Sequence, residues 1–168
     1  MRAFADPAYL RRPEVERTLA ALPRLSLRLD ACMQPAHVPQ VLELVERHPA
    51  LALVIDHAGL PDIAAGEWTP WTQGMSALAA HARVRCKLSG LVTQAGPGWT
   101  IDVLRRYVDF VAGCFGASRL MWGSDWPLLN TAATYPSWYA ATVALTAGWS
   151  ADDRAALMGN TARRFYGL

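Results

Sequence analysis

The sequence predicts an α/β domain built on a parallel sheet of four strands. Three observations support this fold class: short apolar runs alternate with longer amphipathic runs, Gly and Pro separate them, and one run is apolar almost throughout. Strands and helices that alternate at this spacing are typical of parallel sheets with right-handed crossovers. The chain has 168 residues, enough for one domain with its own core, and we predict a single domain over residues 1–168.

The strand predictions rest on the pattern of apolar side chains. Residues 25–33 alternate between apolar and polar side chains, which indicates one buried face. Residues 51–56 (LALVID) are apolar almost throughout, as in a strand that is buried on both faces. Gly90 closes the third run and Gly123 interrupts the fourth. The predicted strands are residues 25–33, 51–56, 84–89 and 119–124.

The helix predictions combine amphipathic runs with capping residues. Asp6 and Pro7 are typical of a helix start, because aspartate caps the first turn and proline suits the first helical position. Thr100 can cap the run that follows it, and Ser150 with Asp153 resembles a capping box. The predicted helices are residues 6–22, 38–48, 71–81, 101–115, 136–146 and 151–158.

Composition argues against several classes of function. A net charge of +2 gives no reason to expect nucleic acid or an anionic membrane as partner. No window holds 18 apolar residues, and the amino terminus lacks a signal-peptide pattern. Cys32, Cys86 and Cys114 lie far apart, which favours buried thiols in a reducing compartment over disulfides or a zinc site. We therefore predict a soluble cytoplasmic protein with a small-molecule substrate.

Asp125 is the first candidate functional residue. It follows the last predicted strand directly, and Trp126 and Pro127 then turn the chain. In parallel α/β folds the carboxyl ends of the strands carry the chemistry. An ionised aspartate there can take a proton from water or bind a metal ion. The alternative is a residue that caps a helix or forms a turn, where aspartate is common.

Four segments, in this order, resemble the carboxy-terminal part of the amidohydrolase 2 family, which includes sugar-lactone hydrolases and pyrone-dicarboxylate lactonases. They are residues 54–61 (VIDHAGLP), 86–90 (CKLSG), 122–127 (WGSDWP) and 159–166 (GNTARRFY). The resemblance implies a (β/α)8 barrel, a fold that takes about 250 residues. It further implies that this chain corresponds to the last four strands, a domain truncated at its amino terminus. The paired histidines of the first strand and the arginine-bearing segments that follow it are then absent.

The resemblance also implies roles for individual residues. Asp125 matches the catalytic acid after the eighth strand and would take a proton from the attacking water. His57 matches the histidine after the sixth strand and would polarise the lactone carbonyl. Lys87, in the KxSG segment, would bind a substrate carboxylate or stabilise developing negative charge. For Lys87 an ion pair with a barrel carboxylate such as Asp30 is the alternative interpretation.

Two further residues complete the predicted substrate site. Ser89 would donate a hydrogen bond at the end of its strand, and Trp126 would form an apolar wall for a sugar ring. No metal ligand is certain; His57 and Asp125 would serve if the full-length parent binds a divalent ion such as zinc. Asp56 should point away from His57, because neighbours in an extended chain face opposite sides, and we expect it to anchor the loop.

The predicted reaction is the hydrolysis of a lactone of a sugar acid or a dicarboxylate. Two alternatives stay open: a chain without catalytic activity, as a truncated product or half of a split enzyme, and a decarboxylase. A half-barrel would leave two strand edges unpaired and an apolar face exposed. We therefore also predict self-association through the exposed barrel edges.

Overall fold

Four parallel strands form one sheet in a computed structural model that describes residue 6 and residues 8–168. They are β1 (Leu29–Ala31), β2 (Leu53–Ile55), β3 (Val84–Leu88) and β4 (Leu120–Trp122), and they lie side by side in chain order. Each adjacent pair is parallel, so the carboxyl ends of all four strands share one edge. The predicted α/β class and the number of strands are confirmed.

Eight α-helices lie in the described part of the chain, and most of them alternate with the strands. They are α1 (Pro13–Ala21), α2 (Val38–Arg47), α3 (Thr69–Ala79), α4 (Leu91–Ala95), α5 (Ile101–Phe115), α6 (Tyr135–Leu145), α7 (Ala151–Ala155) and α8 (Thr161–Tyr166). The caps predicted for two helices are present, since Thr100 accepts from Val103 N (3.3 Å) and Ser150 from Asp153 N (3.1 Å). None of these helices has both the length and the apolar character needed to cross a bilayer.

The two faces of the sheet differ in what covers them. On the outer face, alternate residues such as Leu53, Ile55 and Cys86 are fully buried in a core shared with α2, α3, α5 and α6. The other face, here called the inner face, was predicted to be an exposed apolar surface, but it carries mostly polar and charged side chains. Its residues are Asp30, Val54, Arg85, Lys87 and Met121.

Helix α8 covers part of the inner face. Phe165 packs against Val54 of β2 and Met121 of β4 in a small separate apolar cluster. Because of this contact β2 is buried on both faces, as its apolar sequence predicted.

The amino-terminal predictions were only partly right. Helix α1 begins at Pro13, a proline at its first position, and not near Asp6. Asp6 accepts a hydrogen bond from Ala8 N (2.9 Å) in a turn, and Pro7 lies outside the described residues. The predicted strand over residues 25–33 shortens to β1, because residues 23–25 form a 3-10 turn and Ser26 has a φ of 55°.

The carboxy-terminal helix predicted over residues 151–158 is divided. Helix α7 ends at Ala155, and a π-helical turn, Ala156–Asn160, follows it. Gly159 in this turn is extended (φ 179°), which interrupts the helix before α8 begins at Thr161. The short helix α4 was not predicted from the sequence.

Candidate active site

His57 lies in a tight turn at the carboxyl end of β2. The turn, Asp56–Gly59, places His57 and Ala58 in the left-handed region, with φ of 53° and 51°. Such a conformation costs a residue with a side chain about 1–2 kcal/mol, so surrounding contacts must hold it. Trp71 Nε1 donates to Ala58 O (2.7 Å), and Leu60 N donates to His57 O (2.9 Å).

Gly90, after β3, lets the neighbouring loop approach this turn closely. Its φ is +68°, and a Cβ atom at this position would lie 2.8 Å from the Cβ of His57. Any larger residue would push the imidazole away or strain the backbone. The glycine of the CKLSG segment is therefore explained by the space that His57 needs.

The structure brings the side chains of His57 and Asp125 together. Nε2 of His57 lies 3.6 Å from Oδ1 of Asp125, and the two side chains are 23% and 12% exposed. This distance is longer than a hydrogen bond, so both groups can contact a third group that lies to one side of the line joining them. Asp125 also has a positive φ, of 60°, which turns the chain directly after β4.

Ser89 holds the other side of the imidazole. Its Oγ lies 2.9 Å from Nδ1 of His57, and the residue is 2% exposed. A serine hydroxyl that donates to Nδ1 favours the tautomer with the proton on Nε2. In that tautomer an N–H donor faces Asp125. The predicted site residue Ser89 thus contacts His57 itself.

The environment of Asp125 disfavours its ionised form. Burial raises the pKa of the Asp125 carboxyl and outweighs His57, which lowers it, while Asp56 adds a smaller upward contribution. A base with a raised pKa binds a proton more strongly, which suits a group that takes a proton from water.

Lys87 is held by two carboxylates on the inner face. Its Nζ lies 2.6 Å from Asp30 Oδ2 and 2.7 Å from Asp56 Oδ1. Burial lowers the pKa of Lys87, but the two carboxylates prevail and raise it above the usual range of lysine. The ion pair with Asp30 is the alternative that the sequence left open for Lys87.

Tyr166 contacts Asp30, one of the two carboxylates that pair with Lys87. Its hydroxyl lies 3.0 Å and 2.8 Å from the two carboxylate oxygens of Asp30. No sequence motif indicated this contact, because the two residues are 136 positions apart. Trp126, by contrast, is 67% exposed in the loop after β4, where its backbone N donates to Ser124 Oγ (3.2 Å).

Three residues could together hold a metal ion. One ligand atom each of Cys32, Asp56 and His57 lies within 4.8 Å of the other two. Thiolate, carboxylate and imidazole are the ligands that zinc takes in proteins. Burial and the charge of Asp56 raise the pKa of the Cys32 thiol, so it is protonated unless a cation binds.

This cluster corrects two expectations from the sequence. Asp56 was predicted to point away from His57, but the left-handed turn at His57 breaks the extended alternation and leaves both side chains on one side. The spacing of the cysteines favoured buried thiols over zinc ligands, but Cys32 is only partly buried and lies within reach of both residues in a group that could hold a metal ion. The signal was available, since Cys32 directly follows β1 and therefore lies at the carboxyl edge of the sheet.

Comparison with known proteins identifies the family. A family model described as amidohydrolase matches residues 4–168. An L-fucono-1,5-lactonase of Burkholderia ambifaria is 41% identical over 167 residues, which cover 97% of this chain and 58% of the relative. An L-fucono-1,5-lactonase of Burkholderia multivorans is 36% identical over 183 residues, covering 100% of this chain and 59% of the relative. The chain thus spans a little under three fifths of the curated relatives it matches.

Solved structures agree with this assignment. An amidohydrolase from Burkholderia multivorans with bound zinc has a TM-score of 0.92 and 34% identity, over 96% of this chain and 60% of that one. A putative 2-pyrone-4,6-dicarboxylic acid hydrolase from Pseudomonas putida has a TM-score of 0.77 and 28% identity, over 94% of this chain and 58% of that one. The predicted fold class, a four-stranded part of a (β/α)8 barrel, and the predicted resemblance are confirmed. The chain belongs to the amidohydrolase family.

Proposed function

We propose that this chain takes part in the hydrolysis of a lactone of a sugar acid or a dicarboxylate. The observation that carries the proposal is the distance of 3.6 Å between His57 Nε2 and Asp125 Oδ1 at the carboxyl edge of the sheet. Relatives named as lactonases support the choice of a cyclic ester. Because the chain is similar in sequence to these relatives, a sugar lactone is the first substrate to test.

In the proposed reaction a water molecule lies in front of the two side chains, within hydrogen-bond distance of Asp125. Asp125 takes a proton from this water as its oxygen forms a bond to the lactone carbonyl carbon. The N–H of His57 donates to the carbonyl oxygen, which gains negative charge in the tetrahedral intermediate. The ring C–O bond then breaks, and the proton on Asp125 passes to the leaving alkoxide. A general base of this kind contributes about 10²–10⁴-fold to the rate.

The other predicted site residues would support this pair. Ser89 orients the imidazole through its contact with Nδ1. Lys87 would hold Asp56, the residue before His57, and two carboxylates offset the charge that it was predicted to offer a substrate. The exposed indole of Trp126 offers an apolar surface on which a sugar ring could pack.

Cys32, Asp56 and His57 are the residues that would hold a divalent ion such as zinc. The ring nitrogen of His57 that took the ion would carry no proton, so the ion would replace the N–H donor role given to His57 above. Among the described residues, Asp56 Oδ1 is buried and lies 2.7 Å from Lys87 Nζ, so this carboxylate already carries one ion pair. When bound, such an ion supplies Lewis-acid polarisation of a carbonyl. Binding would have to compete with Lys87 for the same carboxylate oxygen.

A second candidate is that the chain forms only part of a working site. The share of the relatives that it spans favours this candidate, as do β1 and β4, which each pair with a single strand among the described residues. We propose that copies of the chain associate along these edges, because unpaired strand edges are templates for further pairing. A second copy would add four strands in parallel and could close an eight-stranded sheet.

We also propose that the protein acts in the cytoplasm. Its three cysteines are free, and Cys86 is fully buried in the core. Unpaired thiols suit a reducing compartment. Cell fractionation with an antibody to the chain would test the location.

The deciding experiment is an assay of the purified chain with L-fucono-1,5-lactone, in which acid release is measured at constant pH. Turnover that disappears in Asp125→Asn, with the fold retained by circular dichroism, is the expected result. Carbon dioxide from an aromatic carboxylic acid would instead indicate the decarboxylase alternative. Absence of turnover in both assays would contradict the hydrolase proposal for this chain and favour the second candidate.

A further inference from the structure

The end of helix α8 contacts strands β2, β3 and β4, and also Arg28, the residue before β1. Phe165 is 5% exposed and packs on Val54 of β2 and Met121 of β4. Its carbonyl oxygen accepts from Arg28 Nε (2.7 Å), just before β1, and the guanidinium of Arg85 in β3 lies 5.4 Å from its ring centre. One aromatic residue therefore holds the position of the helix end on the inner face.

Tyr166, the next residue, extends these contacts toward the candidate site. Its hydroxyl donates to the carboxylate of Asp30, at 3.0 Å and 2.8 Å from the two oxygens. Asp30 also pairs with Lys87 (2.6 Å), whose ammonium lies 5.9 Å from the centre of the Tyr166 ring. Lys87 in turn pairs with Asp56 (2.7 Å). The result is a continuous chain of polar contacts from Tyr166 to Asp56.

Asp56 is the first residue of the strained turn that carries His57. A non-glycine residue with positive φ keeps that conformation only where neighbouring contacts determine it. Trp71 holds the far end of the turn through Ala58 O, and Ser89 holds the imidazole. The ion pair of Lys87 with Asp56 holds the near end, where the chain leaves β2.

We propose that Tyr166 is a positioning residue, which acts through Asp30, Lys87 and Asp56 to set the place of His57 opposite Asp125. Its phenol neutralises no charge but takes one of the hydrogen-bonding sites of Asp30, which orients the carboxylate that Lys87 pairs with. Without the hydroxyl, water takes its place on the Asp30 carboxylate. The ammonium of Lys87 then shifts in position between Asp30 and Asp56. The consequence for catalysis rests on the proposed function, whereas the shift of His57 does not.

The test uses the full chain with Tyr166→Phe, which keeps the ring and removes the hydroxyl. Tyr139→Phe is the matched control, because Tyr139 is 46% exposed on α6. Lys87 is the single lysine of the sequence, so labelled lysine gives one side-chain NMR signal. The four histidines give four sets of ring signals that mutation of each can assign.

In Tyr166→Phe we expect the Lys87 and His57 signals to shift, while those of His48 and His81 keep their positions. In the control all of these signals should stay as in the wild type. If lactone turnover is present, kcat should fall about tenfold with little change in KM, as expected for the loss of one hydrogen bond that orients a reacting group. A residue that only stabilises the fold would lower the melting temperature without moving these signals selectively.

Unchanged Lys87 and His57 signals in Tyr166→Phe would overturn the proposal, whatever the turnover. If this variant does not fold, Asp30→Asn interrupts the same chain of contacts while keeping the phenol. The Lys87 and His57 signals must then shift in Asp30→Asn. If they stay in place, the proposal is wrong. A shift of His57 in a chain without lactone turnover would leave the positioning role standing and count against the proposed function alone.

Discussion

The hydroxyl of Ser89 lies 2.9 Å from Nδ1 of His57, on the side of the ring opposite Asp125. This contact ties the ends of β2 and β3 together at the carboxyl edge of the sheet. When the hydroxyl donates in this contact, the ring proton lies on Nε2 and presents an N–H toward the space in front of Asp125. The imidazole is therefore held before any substrate arrives.

Ser89→Ala should lower the rate of lactone hydrolysis by roughly 2- to 10-fold, because a neutral hydrogen bond contributes about 0.5–1.5 kcal/mol. The effect should be in kcat, since Ser89 contacts the imidazole and is itself buried. Steady-state kinetics would measure it. Ser76→Ala, at an exposed position in α3, serves as the control and should leave kcat unchanged. Equal rates for both variants would contradict the role of Ser89.

Gly90→Ala should destabilise the protein by about 1–3 kcal/mol, because the added methyl group overlaps His57 and the backbone has a positive φ. Urea unfolding followed by circular dichroism would measure the loss. Gly98→Ala is the matched control, since its Cβ would meet no atom within 4 Å. A stability equal to that of the control would mean that the turn at His57 adjusts freely.

The pH dependence of the reaction should follow the raised pKa of Asp125. Only the ionised carboxylate can accept a proton, so the rate should fall as the pH drops through this pKa, at a higher pH than for an ordinary aspartate, whose pKa is about 3.9. Measurements of kcat/KM as a function of pH would give the pKa below which activity falls. A pKa at or below that of an ordinary aspartate would contradict the effect of burial.

The same shift has a consequence for stability. A carboxyl with a raised pKa in the folded state favours folding fully only below its unfolded pKa, and this contribution is lost as the pH rises through the folded pKa. Asp125→Asn should therefore raise the melting temperature at neutral pH relative to the wild type and lose this advantage below about pH 4. Thermal melts at both pH values would measure the difference.

The same variant, Asp125→Asn, should lower turnover by about 10²–10⁴-fold.

Zinc should raise the melting temperature of the wild-type chain, because a ligand that binds only the folded state stabilises it. Cys32→Ala should reduce this shift, and a chelator should reverse it in the wild type. Cys114→Ala is the control, since Cys114 lies in α5, outside the group of possible ligands. Equal zinc shifts in both cysteine variants would exclude Cys32 as a ligand.

Association of the chain should depend on concentration and on the edge next to β1. Leu25 and Leu27 are 64% and 51% exposed there. Light scattering at micromolar concentration should detect dimers or larger species, and Leu27→Lys should shift them toward monomer because it places a charge at the edge. Val103→Lys, at an exposed position on α5, is the control. A monomer in the wild type would contradict the association.

Local patterns in the sequence predicted much of the fold. The apolar run around β2, the cap at Thr100 and the family motifs all depend on residues that are neighbours in the chain. The predictions failed where a local pattern met an unusual backbone conformation. Ser26 ended the alternation before β1, and the positive φ of His57 brought Asp56 to the side on which it was not expected.

The sequence alone determined the class of fold, the family and the two strand ends that carry His57 and Asp125, since these follow from spacing and short motifs. Only the tertiary structure decided that Ser89 holds the imidazole, that Cys32 joins Asp56 and His57, and that Lys87 is already paired. It also placed Tyr166 on Asp30, across 136 positions of the chain. The physical reason is that hydrogen bonds and ion pairs depend on distances of a few ångströms, which long-range packing sets and which no local periodicity encodes.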